Sequence, residues 1–159
     1  MFDTWLEIAA RLSLSIVVGA VIGLNRDLHH KPAGVRTNAL VSLGTALAVI
    51  VIAPPDSDML HRYDALSRVI QGIVTGIGFL GAGVILHDST SKHVTGLTTA
   101  AAVWFSAILG LACGAGSYVP VVIALALGLV VMLFGGPFER WFRHEPPDEN
   151  GGQGGPSSQ

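Results

Sequence analysis

The sequence predicts an all-α fold: a polytopic transmembrane helix bundle of about five spans with glycine-rich packing interfaces. Three observations predict it. Between Arg68 and His87 the chain runs VIQGIVTGIGFLGAGVIL, about eighteen residues without a charge. The apolar slab of a bilayer is about 30 Å thick and needs about 20 helical residues to cross. Composition agrees, with 50% hydrophobic and only 13% charged residues. A soluble domain carries about 25% charge, so this chain has too little polar surface for water. Finally, the charge is concentrated in short links between five apolar runs.

The first run, Leu6 to Leu24, follows Asp3 and Glu7, where a signal peptide would want basic residues, so this span is expected to be retained. Glu7 and Arg11 stand at helical i,i+4 spacing and can satisfy one another. Val35 to Ala53 forms the second run and Val69 to Leu86 the third. The fourth, Leu97 to Cys113, is introduced by Thr95-Gly96-Leu97-Thr98-Thr99, in which the threonine hydroxyls suit the capping of free amides and the glycine admits a turn. Only GAGS separates it from the fifth, Tyr118 to Phe134, which requires a helical hairpin. Residues 1–138 are thus expected to form the transmembrane domain. Residues 139–159, ending in EPPDENGGQGGPSSQ, are expected to form a disordered cytoplasmic tail, with no second folded domain.

Small residues recur on these spans. Ser15, Gly19 and Gly23 share a face of the first, and Ser106, Gly110 and Gly114 a face of the fourth. The third carries Gly72, Gly76, Gly78, Gly81 and Gly83, and Ala124 with Gly128 makes a weaker copy in the fifth. Each glycine would cost a soluble helix about 1 kcal/mol against alanine. In lipid it lets backbones approach closely, and packing drives association there. Such stripes most often pack one bundle, and a minority mark a homodimer seam. The third span is expected to be built for contact.

Charge sets orientation. The side receiving the first and third links and the C-terminus collects Arg26, Lys31, Arg36, Lys92, Arg140 and Arg143, against Arg11, Arg62 and Arg68 on the other. The positive-inside rule then places the N-terminus outside and the C-terminus in the cytoplasm. A net charge of −2 argues against a nucleic-acid partner. The lone Cys113 excludes an internal disulfide and suits packing.

Two motifs fail on context. Gly76 to Gly81 spells GIGFLG, a literal GxGxxG, but it lies inside a span, with no βαβ pattern and with Asp88 too early for a ribose contact. His29 with His30, and His87 with Asp88 and His93, lack the third or fourth ligand of a zinc site, so interfacial solvation is their default. No catalytic, metal or cofactor site is expected.

The first link, NRDLHHKPAGVRTN, sets three cations against one carboxylate, as an ordinary cytoplasmic anchor would. However, Pro32 and Gly34 fix a turn, and Arg36, Thr37 and Asn38 open the second span, aiming donors toward the bundle. A sharper expectation pairs Arg26 with Asp27, or either with a neighbouring helix. Asn25, Arg26, Asp27, Lys31, Arg36, Thr37, Asn38, Asp88, Thr98 and Thr99 are the candidate polar cluster at the cytoplasmic face.

GLNRDLHHKPAGVRTNALVSLGTAL, GIGFLGAGVIL and VTGLTTAAAVWFSAILGLACGAGSY together resemble the three signature blocks of the MgtC/SapB family of bacterial inner-membrane proteins. The blocks run from about Gly23 to Tyr118. The resemblance implies a role in magnesium limitation and acid or phosphate stress, and an interaction with a membrane ATPase in certain members, rather than catalysis. It also places Thr98, Thr99 and Trp104 near any functional surface. Two departures stand out. Where the family pattern has GLERE this chain has GLNRD, so Asn25 replaces one glutamate and Asp27 shortens another. Longer members also carry a soluble C-terminal domain, and this chain is expected to be a short form without it.

The expected function is therefore that of a non-enzymatic inner-membrane protein acting in magnesium or acid stress by modulating a membrane partner such as an ATPase. A transporter or channel for Mg²⁺ or another small solute is the alternative, and a structural homodimer a third class. Mg²⁺ takes octahedral oxygen ligands and sheds water reluctantly, yet no carboxylate lies centrally in any run.

Overall fold

The computed structural model describes residues 2–55, 63–86 and 95–142, and all five long elements in them are helices. They are α1 (Phe2–Leu28), α2 (Val35–Ile52), α3 (Tyr63–Leu86), α4 (Leu97–Gly114) and α5 (Tyr118–Phe142). Each contains a window long and apolar enough to cross a membrane. At 1.5 Å per residue, the 27 residues of α1 extend about 40 Å, so this helix tilts or projects beyond the hydrocarbon. α5 stays helical through residue 142, so residues 139–142, expected to begin the tail, extend the last helix beyond its apolar span, which ends at Gly135. The rest of that expected tail, and Asp88, His87, Lys92 and His93, lie outside the described residues.

Helices α1, α2 and α4 form the core, with α4 at its centre. Of its apolar window 56% is buried, against 6% for α5. Val18 and Ile22 of α1 meet Ala102, Leu109 and Cys113 of α4 and Val121 of α5 in the main apolar cluster. Ile77 of α3 packs with Val103 and Ala107 on the other flank. The outward faces stay apolar, as with Val119, Val131 and Phe134 of α5 and Phe79 of α3, which suits lipid and not water.

Backbone approach organises the core. A Cβ on Gly19 would lie 2.8 Å from Ala39 Cα, and one on Gly23 would lie 2.6 Å from Val35 N, so α1 descends antiparallel against the start of α2. Further along α2, Gly110 would meet the Ser42 carbonyl carbon at 2.8 Å and Gly114 the Ala46 oxygen at 2.5 Å. Ser106 bonds Asn38, 68 positions earlier, and the two glycine contacts keep that same offset. Helix α4 therefore runs parallel to α2, each fourth residue of one on each fourth of the other.

The third span departs from expectation. Gly72, Gly76, Gly78 and Gly83 would meet nothing within 4 Å if given a Cβ, and only Gly81 comes near a neighbour, 3.4 Å from Ala100 Cβ. Within one chain these glycines are not contact points, because α3 leans on α4 through Ile77 and leaves most of its circumference outward. In the fifth span, Gly128 faces the ring of Phe105.

Candidate functional site

The candidate site lies where α1 ends and α2 and α4 begin. Helix α1 stops with two turn bonds, His30 N to Asp27 O and Lys31 N to Arg26 O, each 3.0 Å. This is the Schellman pattern, whose left-handed residue is usually glycine. Here it is His30, with φ 51°, and Ala33 follows at φ 57°. The chain then enters α2 at Gly34, which offers no side chain to cap the helix. Asp27 supplies one from across the turn, its Oδ2 accepting a 3.0 Å bond from Val35 N. A Cβ on Gly34 would lie 2.6 Å from that oxygen, so glycine is required for the carboxylate to reach. The anion also sits at the positive end of α2.

Successive helical residues point about 100° apart, so Arg26 faces away from Asp27 and into the bundle. The expected Arg26–Asp27 pair does not form. Only 6% of Arg26 is exposed, and its Nη2 donates to Thr99 Oγ1 on α4. Its Nε is buried without a partner, and no carboxylate touches it among the described residues. Thr99 is consumed as this acceptor and caps nothing. The N-cap of α4 is Gly96, at φ 88° and without a side-chain cap, against the Val84 carbonyl of α3.

One turn deeper, Asn38 is fully buried. Its Nδ2 donates to the carbonyls of Ala33 and Gly34, the latter at 3.0 Å. That leaves Oδ1 facing α4, where Ser106 Oγ donates to it at 2.8 Å. The local bonds thus orient the amide for the bond between helices. Ser15 and Thr45 instead bond carbonyls of their own helices, and Ser42 Oγ is buried without a partner.

The ten-residue cluster therefore divides. Arg26, Asn38 and Thr99 are buried and bonded, while Asp27, Lys31, Arg36, Thr37 and Thr98 are exposed, and Asp88 lies outside the described residues. Asn25 is half-buried, its carbonyl 2.7 Å from His29 Nδ1. Sequence reasoning counted Ser106 only as a small packing residue. Its spacing from Asn38 is invisible until α2 and α4 are in register.

A second polar contact closes the opposite end. Arg11 pairs with Glu7 as their spacing predicts, and its Nη1 also donates to the Gly114 carbonyl at 2.8 Å. It thereby caps the negative end of α4. Gly116, at φ 75°, makes room, since a Cβ there would lie 2.8 Å from Arg11 Nη2. Among the described residues no group of three or more His, Cys, Asp or Glu could hold a metal ion.

Five apolar helices around a core sealed by glycines and hydroxyls define a multi-pass α-helical membrane protein. A sequence profile of the MgtC family matches residues 12–141, and the chain belongs to that family. It is 47% identical over 119 residues to Protein SrpB of Synechococcus elongatus, an alignment covering 70% of this chain and 65% of that one. It is 43% identical over 108 residues to Protein MgtC of Brucella abortus, covering 68% and 42%. With Protein MgtC of Salmonella typhimurium the identity is 42% over 107 residues, covering 67% and 43%. The chain thus spans from 42% to 65% of the length of these relatives. No solved structure matches it.

Proposed function

We propose that this chain is a non-enzymatic protein of the bacterial inner membrane, with its N-terminus outside and C-terminus in the cytoplasm. It acts in magnesium-limitation or acid-stress physiology by modulating a membrane partner such as an ATPase. The observation that carries this reading is the closed interior. Gly19, Gly23, Gly110 and Gly114 bring α1 and α4 onto the backbone of α2 with no room for a methyl group. Arg26, Asn38, Thr99 and Ser106 are occupied in bonds between helices or to the local turn. A hydrated Mg²⁺ would need oxygen ligands along a wet path, and such an interior supports docking over conduction. The cations Arg26, Lys31 and Arg36 at one end support the orientation.

The test reconstitutes the full chain in proteoliposomes with a Mg²⁺ indicator, alongside crosslinking in native membranes. No flux above empty liposomes, together with a crosslinked membrane ATPase, is the expected result. Saturable Mg²⁺ flux overturns the reading in favour of a transporter.

A further inference from the structure

Between α2 and α3 lies an open apolar groove of about 270 Å³, lined by Leu40, Gly44 and Thr45 from α2 and Ile73, Gly76 and Ile77 from α3. Its floor exists because two residues lack side chains. A Cβ on Gly44 or Gly76 would meet nothing within 4 Å, so neither glycine is there for a helix contact in this chain. The groove runs toward the end of the bundle where α2 begins. Arg36 and Thr37 stand there, one turn before Leu40 and Val41, and both are exposed.

Charge singles out the occupant. Among the described residues the Arg36 side chain engages no hydrogen bond or ion pair, and neither does that of Lys31 beside it. The nearby carboxylate, Asp27, is committed to the first amide of α2. An uncompensated guanidinium at the mouth of an apolar groove complements a molecule with an anionic head and a hydrocarbon tail. Basic pockets between transmembrane helices take anionic lipid headgroups for this reason.

We infer that the α2–α3 groove is a binding site for an anionic phospholipid, with its phosphate on Arg36 and one acyl chain lying across Gly44 and Gly76. The inference needs the helices to span a bilayer and is independent of whether the protein modulates a partner or conducts a solute. The outward Gly76 of α3 acquires a purpose in it: it leaves room for a lipid against the bundle.

The test offers the purified full chain, in mild detergent, equal amounts of phosphatidylglycerol and phosphatidylethanolamine with matched acyl chains, and reads retained lipid by native mass spectrometry. One cation near the headgroup layer gives about a fivefold preference for the anionic lipid. Arg36→Gln is expected to abolish that preference without lowering phosphatidylethanolamine retention. Gly76→Leu, which fills the groove, is expected to reduce retention of both lipids. Gly78→Leu, on the α4 side of α3, also meets open space and is the folded control expected to match the unaltered protein. Equal retention of the two lipids, or an unchanged preference in Arg36→Gln, overturns the inference. So does displacement by soluble glycerol phosphate, which would assign the site to a free phosphate, or a lipid-free dimer, which would assign the groove to a second copy.

Discussion

The bond between Asn38 and Ser106 links α2 to α4, and a double-mutant cycle on it measures how much that register stabilises the bundle. Both residues are fully buried, 2.8 Å apart, and the Asn38 amide is oriented by the carbonyls of Ala33 and Gly34. Hydrogen bonds between membrane helices average about 0.6 kcal/mol, with a maximum of about 1.7, because partners are also found in the unfolded membrane state. Pre-orientation places this one in the upper half, at about 1–1.7 kcal/mol of coupling. Ser106→Ala removes the donor and leaves Oδ1 buried without a partner, costing about 1–2 kcal/mol. Asn38→Ala also loses two turn bonds and leaves a cavity, so about 2–4 kcal/mol is expected. The double variant should then be milder than the sum of the singles by the coupling, about tenfold in the unfolding equilibrium. Reversible unfolding in mixed micelles, followed by far-ultraviolet circular dichroism, provides the assay, with the exposed Ser13→Ala as control. A coupling below about 0.3 kcal/mol would mean that the contact does not hold α4 in place.

Other perturbations separate the roles assigned to particular residues. Gly110→Ala drives a methyl into the backbone of α2 and should destabilise by about 1–3 kcal/mol, whereas Gly72→Ala meets open space and should be neutral or stabilising by up to about 1 kcal/mol in the same assay. Thr99→Val strips the buried Arg26 of its acceptor and should cost about 2 kcal/mol, while Arg26→Met, which removes the charge with it, should cost less or stabilise; the reverse order would show that the guanidinium has another partner. On the proposed function, the same Arg26→Met variant should insert normally yet fail to restore growth of a deletion strain at low magnesium. His30→Gly relieves a left-handed residue at the end of α1 and should raise the unfolding midpoint, by about 1 kcal/mol in free energy, with His30→Val moving it the other way.

Much of the architecture was legible in the chain because a bilayer imposes it locally. A run such as Val69 to Leu86 must satisfy its own backbone bonds in hydrocarbon, so length and apolarity alone specify a helix. The helical hairpin after Gly114 and the Glu7–Arg11 pair followed in the same way, being set by neighbours a few positions apart. What local pattern could not supply was direction. The glycines of α1, α3 and α4 look alike in sequence, yet Gly19 and Gly110 press on the α2 backbone while Gly72 and Gly76 face outward. Nor could it divide one polar link into Arg26, turned inward to Thr99, and Arg36, left exposed at the mouth of a groove. Those outcomes depend on which helix lies beside which, and on a register of 68 positions that joins Asn38 to Ser106. Composition and spacing made the spans; only the close approach of their backbones decided which small and polar residues would meet.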